Sequence, residues 1–181
     1  MILFFGPPGS GKSVQGELLV EHNGWQWLST GKLFRNSKDE EVRKRMAAGE
    51  LINDELTNKV LDEALKNIDT KTMVILDGYP RNIDQAKWLI DHLPNHGREI
   101  DCVIEFAVAE EELMRRLSDR GREEDVRDVI ERRLAIYHEK TTPVLDYLQS
   151  QGVTIQTVNA EGSIEEVHER IQGAAAACIQ K

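Results

Sequence analysis

Five short apolar runs punctuate the chain: Ile2 to Phe5, Trp25 to Leu28, Met73 to Leu76, Val103 to Phe106 and Val153 to Val158. Most are continuous rather than alternating, which is the pattern of strands in a sheet covered on both faces. Segments of helical period separate them. Asn82 followed by Gln85, then Ala86, Leu89, Ile90 and Leu93, reads as a capping box opening an amphipathic helix, and Ser163 with Glu166, Val167 and Ile171 repeats the pattern near the C-terminus. Ser37 with Glu40, and Asn53 with Leu56, Val60, Ala64 and Leu65, predict two further helix starts. Strands alternating with helices predict an α/β fold, a five-stranded parallel sheet with helices on both faces, formed as one domain over 1–181. Thr30 to Ile68 holds about four helical pieces and no strand, too long for a plain crossover, and predicts an inserted helical subdomain. The run Ala174 to Ala177 reads as a helix end, and no internal repeat or low-complexity tract is present.

Composition narrows the class. With 181 residues, 40% hydrophobic and 30% charged, the chain reads as a soluble globular domain. Its formal net charge of −9 argues against a binder of duplex nucleic acid or of anionic membranes. No stretch approaches the ~18 apolar residues of a membrane span. The opening Met1 to Phe5 is too short for a signal peptide and lacks a charged leader, so the expected compartment is the cytoplasm. Of the two cysteines, Cys102 lies in an apolar run and reads as a small buried hydrophobe rather than a disulfide partner; no Cys/His cluster has zinc spacing.

The strongest motif is Gly6-Pro7-Pro8-Gly9-Ser10-Gly11-Lys12-Ser13, a G-x-x-x-x-G-K-[ST] phosphate loop set between a predicted strand and a predicted helix. Its glycines let backbone N–H groups curl around phosphate oxygens, and the helix N-terminus adds positive potential. Lys12 is placed to reach the β/γ-phosphates and Ser13 to ligate Mg²⁺. The run Met73 to Leu76 ends in Asp77, a carboxylate at the C-terminal edge of the sheet, where such folds bind ligands, and the second candidate for holding Mg²⁺.

A phosphate loop implies a nucleotide, not a reaction. The arginines say more. From Arg115 to Arg133 there are seven arginines and no lysine. The guanidinium fork binds phosphate bidentately and keeps its charge when desolvated, which suits a clamp on a transferring phosphoryl group. Spacings of four (Glu123 with Arg127, Arg127 with Glu131, Asp128 with Arg132) predict ordinary surface ion pairs for Arg127 and Arg132, and Arg115 reads the same way. Arg120 and Arg122 flank Gly121 in a short turn and read as aimed elsewhere, while Arg35 and Arg81 come from other segments.

These residues resemble the adenylate kinase family along almost the whole chain. Besides the P-loop through Gln15, the resemblance is carried by Ser29-Thr30-Gly31 with Arg35, by Met46 and Gly49-Glu50-Leu51-Ile52, and by Asp54-Glu55-Leu56. Leu76-Asp77-Gly78-Tyr79-Pro80-Arg81 with Gln85, Arg133-Leu134 with Tyr137 and Thr142-Pro143, and Asn159 to Ser163 complete it. The resemblance implies a P-loop kinase with a monophosphate-binding insertion at 29–58 and a vestigial lid at 119–125. It implies an ATP site of Gly9, Ser10, Gly11, Lys12, Ser13, Val14, Arg116, Arg120 and the Gly162 backbone. Around AMP it implies Thr30, Arg35, Met46, Glu50, Leu51, Ile52, Gly78, Tyr79, Pro80, Arg81 and Gln85, with Arg122 and Arg133 bridging donor and acceptor phosphates. The implied catalytic set is Lys12, Asp77, Arg81, Arg122 and Arg133, working with Mg²⁺ in a monomer.

Three departures stand out. Lys32 occupies the place where the family usually carries an aspartate that helps organise the Mg²⁺ shell, Ser13-Val14 replaces the usual Gly-Thr, and the lid is very short. No cysteine falls in the lid, so a zinc-bearing lid is not expected. Two alternatives stay open at this level. One is a kinase of the same fold acting on UMP or CMP, against which Thr30 and Gln85 favour a purine. The other is a non-catalytic nucleotide-binding regulator, against which the five arginines Arg35, Arg81, Arg120, Arg122 and Arg133 argue.

Overall fold

The computed structural model describes residues 1–122 and 124–179. Its strands are β1 (Ile2–Phe5), β2 (Gln26–Ser29), β3 (Val74–Asp77), β4 (Cys102–Ala107) and β5 (Thr154–Asn159), each within a residue or two of an apolar run in the sequence. All pair in parallel in the order β2-β3-β1-β4-β5. β1 lies in the centre, with Ile2 facing Ile75 on one side and Cys102 on the other.

Because successive side chains of a strand point to opposite faces, β1 feeds two separate cores. Leu3 and Phe5 pack with Leu61, Leu65, Leu89, Val144 and Leu148; Ile2 and Phe4 pack with Leu19, Phe106, Val167 and Ile171. The first layer belongs to α4 (Asp54–Lys66), α5 (Ile83–His92) and α8 (Thr142–Ser150), the second to α1 (Lys12–Asn23) and α9 (Ile164–Ile179). This double cover explains why the strands read as unbroken apolar runs. Each fully buried aliphatic side chain contributes about 1.5–3 kcal/mol.

Between β2 and β3 come α2 (Thr30–Arg35), α3 (Glu40–Ala47) and α4. That is three helices where the sequence suggested about four. The cap of α3 also differs from expectation. Asp39, not Ser37, is its N-cap, accepting from the N–H groups of Glu41 and Val42, while the Ser37 hydroxyl accepts from the Asp39 N–H one step earlier. Asn53 and Asn82 cap α4 and α5 as their spacing predicts. Ser163 and Glu166 form the reciprocal capping box of α9.

After β4, α6 (Glu110–Arg120) is followed by α7 (Arg127–Ile136), which continues through a π-helical turn at Tyr137–Thr141 into α8. The connection between α6 and α7 is therefore 121–126; Asp119 and Arg120 are still helical, and Gly121 ends α6 in the left-handed region. Glu123 lies outside the described residues, and with it the expected pair with Arg127. Arg127 pairs with Glu131 as expected, but Arg132 donates to the carbonyl of Ala48, tying α7 to the end of α3.

The reading of Cys102 as an unpaired hydrophobe is overturned. Cys102 and Cys178 form a disulfide, with Cα atoms 5.7 Å apart across a sequence separation of 76. Both are buried, at 0% and 3% exposure. The bridge joins the start of β4 to the last turn of α9. No helix among the described residues is long and apolar enough to cross a membrane.

Candidate active site

The site lies at the C-terminal edge of the sheet and begins with the turn from β1 into α1. Gly11 is the N-cap of α1 with φ 95°, a conformation that side chains with a Cβ rarely adopt, and this turn points the first N–H groups of α1 outward. Lys12 folds back over the loop, donating from Nζ to the carbonyls of Gly6 (2.6 Å) and Pro7 (2.9 Å) and to Ser10 Oγ (3.2 Å). Asp77 ends β3 beside it. Its carboxylate is 5% exposed and accepts from Ser29 Oγ at 3.2 Å.

Gly78, at φ 80°, turns the chain from β3 toward α5. A Cβ there would lie 2.9 Å from Thr30 Oγ1 and 3.1 Å from Arg81 Nη2, so the turn admits no side chain without displacing two others. Thr30 Oγ1 donates to the Gly78 carbonyl (2.9 Å), and Arg81 Nε donates to the same carbonyl (2.7 Å). The Arg81 N–H donates to Gln85 Oε1, and the Arg81 carbonyl accepts from Thr141 Oγ1 in the π-helical turn. Arg81 is thus fixed from three elements. Tyr79 turns its ring into the core, 1% exposed, and donates its hydroxyl to Asn58 Oδ1 and the Gln85 carbonyl.

Around these groups opens one cleft of about 490 Å³. Every site residue expected from the sequence lines it. The P-loop residues Gly9 to Val14, Arg116, Arg120 and Gly162 lie along it, as do Thr30, Arg35, Met46, Glu50, Leu51, Ile52, Gly78 to Arg81 and Gln85, together with Asp77, Arg122 and Arg133. Arg115, expected on the surface, also reaches its rim, but it is paired with Glu112 and Asp119. At the other end, Arg116 donates to Glu112 (2.7 Å) and to the Ala160 carbonyl (3.1 Å). Gln15 holds the start of α9 by donating to the Ile164 carbonyl, and accepts from His168 Nδ1 at 2.9 Å.

Sequence reasoning missed two residues that organise the arginines. Glu124 pairs with Arg35 (3.5 Å) and Arg122 (3.9 Å). Asp125, its side chain fully buried, accepts from Arg120 at 2.5 and 2.7 Å, from Arg133 at 3.4 Å and from the Arg122 N–H at 3.1 Å. In the sequence Glu124 and Asp125 look like a solvated acidic run; nothing local indicates that the turn after α6 folds inward.

Burial, with neighbouring cations in three of the four cases, lowers Lys12, Arg133, Arg81 and Arg35. Burial, opposed by Asp77 and reinforced by Arg81, Arg133 and Arg120, lowers the Lys12 ammonium from 10.5 to about 8. Burial together with Arg120 and Arg81 lowers Arg133 to about 10. Arg81 is lowered by burial against the pull of Asp77, and Arg35 by burial and Arg122. Burial works against the Asp125 charge, yet its bonds to Arg120 and the Arg122 N–H hold the carboxyl below its ordinary range. A cleft that buries Lys12, Arg35, Arg81 and Arg133 and pushes these four toward neutrality is suited to a polyanion that supplies the missing charge.

The residues also suit Mg²⁺, which binds through one or two carboxylates with substrate phosphates and water rather than an all-protein cage. Asp77 has acceptor positions beyond its single bond from Ser29, Ser13 adds a hydroxyl at the start of α1, and the described residues contain no group of three or more acidic, histidine or cysteine ligands.

A family model described as adenylate kinase matches residues 4–153. Adenylate kinase from Mycobacterium tuberculosis (strain ATCC 25618 / H37Rv) is 42% identical over 175 residues, covering 93% of this chain and 95% of the relative. The adenylate kinases of Mycolicibacterium paratuberculosis and Mycobacterium marinum are 40% and 38% identical over the same shares. With the fold, the phosphate loop and the arginine-lined cleft in agreement with these matches, the chain belongs to the adenylate kinase family.

Proposed function

We propose that this protein transfers the terminal phosphoryl group of Mg·ATP to AMP, reversibly, giving two ADP. The observation that carries the reading is the convergence of Lys12, Arg35, Arg81, Arg120, Arg122 and Arg133, from separate segments, on one cleft beside the phosphate loop. A phosphoryl group in flight spreads its charge over three oxygens and needs alignment and neutralisation rather than a general base.

In this reading the N–H groups of Gly9 to Val14 and Lys12 hold the ATP phosphates. Arg116 and Arg120 approach ATP from α6, and the Gly162 backbone meets the adenine. Thr30, Arg35, Met46, Glu50, Leu51, Ile52, Gly78, Tyr79, Pro80 and Arg81 surround the monophosphate, with Arg35 and Arg81 on its phosphate and Gln85 on its base. Residues 29–58 act as the monophosphate-binding insertion and 119–125 as the lid. Arg122 and Arg133 span the junction; as phosphates enter, they exchange Glu124 and Asp125 for phosphate oxygens, so their charge stays compensated along the reaction. Ser13 and Asp77 would hold Mg²⁺, which supplies neutralisation of the phosphate charge when bound.

The reading extends to a monomer acting in the cytoplasm on small substrates, with no nucleic-acid or membrane partner. Thiol–disulfide exchange needs access to sulfur, and burial of both cysteines supports survival of the bridge in a reducing compartment. A coupled assay with Mg·ATP against AMP, UMP, CMP and GMP tests the function. ADP formation dependent on AMP is expected. Transfer to UMP or CMP would overturn the acceptor, and ATP binding without transfer to any of the four would overturn the catalytic reading.

A further inference from the structure

The side-chain amide of Gln85 is gripped at both ends. Its Oε1 accepts from the Arg81 N–H at 2.7 Å, and its Nε2 donates to Asp54 Oδ1 at 2.6 Å. Asp54, in the first turn of α4, is itself held by Asn82 Nδ2 at 3.0 and 3.1 Å. Gln85 is 2% exposed, so bulk water offers it little alternative partnering. An amide turned end for end would set NH₂ against the Arg81 N–H and the carbonyl oxygen against the Asp54 carboxylate, two repulsive contacts in a desolvated place. The orientation is therefore determined by chemistry.

We infer that Asp54 is a positioning residue that locks Gln85 in the orientation that reads a 6-amino purine and rejects a 6-oxo purine. An amide oxygen has two acceptor positions and its nitrogen two hydrogens, so each end of Gln85 keeps one position for a ligand. An adenine edge offers a 6-amino donor beside a ring-nitrogen acceptor and matches that pair. A 6-oxo purine replaces the amino donor with an acceptor; its Watson–Crick edge matches only the reversed amide, which Asp54 and the Arg81 N–H forbid. The inference rests on the reading that Gln85 meets the acceptor base. It adds a residue that does not line the cleft and acts through a neighbour.

The test measures kcat and KM for AMP and for the 6-oxo monophosphate IMP, at saturating Mg·ATP, in the wild type, Asp54→Asn, Asp54→Ala and Gln85→Ala. KM for ATP and a thermal midpoint are recorded for each. Asparagine can donate where Asp54 only accepts, so Asp54→Asn removes one of the two repulsive contacts of the reversed amide and leaves only that with the Arg81 N–H, which weakens the lock. The expected result is a roughly tenfold rise in KM for AMP and a fall in the AMP-over-IMP ratio of kcat/KM, with KM for ATP unchanged. Gln85→Ala should remove the preference entirely. If Gln85→Ala loses the preference while both Asp54 variants keep it, the role of Asp54 is wrong and the reading of Gln85 stands. If Gln85→Ala itself keeps the preference, the base-reading assignment fails beneath both. A lowered thermal midpoint with AMP and IMP affected equally would mean that Asp54 only fastens α4, and would also overturn the inference.

Discussion

Lys32 holds its ammonium over the indole of Trp27, 5.1 Å from the ring centroid, and is not among the residues that line the cleft. The cation that replaces the family's usual aspartate is thus stabilised on the flank of β2. Its backbone N–H serves the Ser29 hydroxyl that caps α2. Lys32→Ala should leave the Mg²⁺ concentration for half-maximal activity within about twofold, since the lost cation–π contact is worth only about 0.5–1 kcal/mol and lies away from the phosphates. A Mg²⁺ titration of activity checks this; a shift of tenfold or more would show that Lys32 acts on the metal after all.

Asp125 neutralises Arg120 and Arg133 from a fully buried position. Asp125→Asn leaves two arginines facing each other without their shared counter-charge and should destabilise the ligand-free protein by about 2–3 kcal/mol, less than a wholly buried pair because both arginines keep some solvent. Urea unfolding measures it. Saturating ATP should restore more stability to the variant than to the wild type, since phosphate replaces the lost carboxylate.

Lys12, lowered to about 8 in the ligand-free cleft, has a defined signature in pH. Below about 8 it is protonated both folded and unfolded, and its contribution is flat. Between about 8 and 10.5 the unfolded chain holds the extra proton, so stability of the ligand-free protein rises with pH through that window. A bound triphosphate restores the ammonium, so ATP binding should take up a proton near pH 8.5 and weaken as pH rises further. Calorimetry in buffers of different ionisation enthalpy reads the proton, and Lys12→Met should abolish it.

Cys178→Ser opens a loop that spans 76 positions of sequence. Chain entropy places the loss on the order of 4 kcal/mol, with activity in the folded protein retained because both sulfurs lie in the core and away from the cleft. Denaturant unfolding with and without a dithiol reductant measures it. The wild type should fall to the variant's stability only after reduction through unfolding, and immediate reduction in native buffer would contradict the burial of the bridge.

Arg81 is fixed by Gly78, Gln85 and Thr141 together. Arg81→Ala should lower kcat by a hundredfold or more, the scale of losing one preorganised donor on a developing charge, while ATP affinity stays close to that of the wild type. Binding of ATP measured in the absence of AMP separates the two; equal loss of both would contradict the placement of Arg81 on the acceptor side.

Much of this protein is set locally and can be read from neighbouring residues. The apolar runs become the five strands, Asn53, Asn82 and Ser163 cap their helices, and the Gly6 to Ser13 spacing makes the phosphate loop. Asp77 ends β3 and Arg81 follows it, so the sheet edge that gathers the ends of parallel strands brings them to the cleft beside the phosphate loop. Caps, turns and periodicity act over a few residues, so the sequence alone determines them. Tertiary structure decides what depends on partners far along the chain. It pairs Cys102 with Cys178, buries Glu124 and Asp125 among arginines, and sends Lys32 to Trp27 and Arg132 to Ala48. An isolated cysteine, a short acidic run and a lysine are each compatible with solvent or with burial. Only the packed neighbours, through the cost of leaving a charge or polar group unpaired, choose between them.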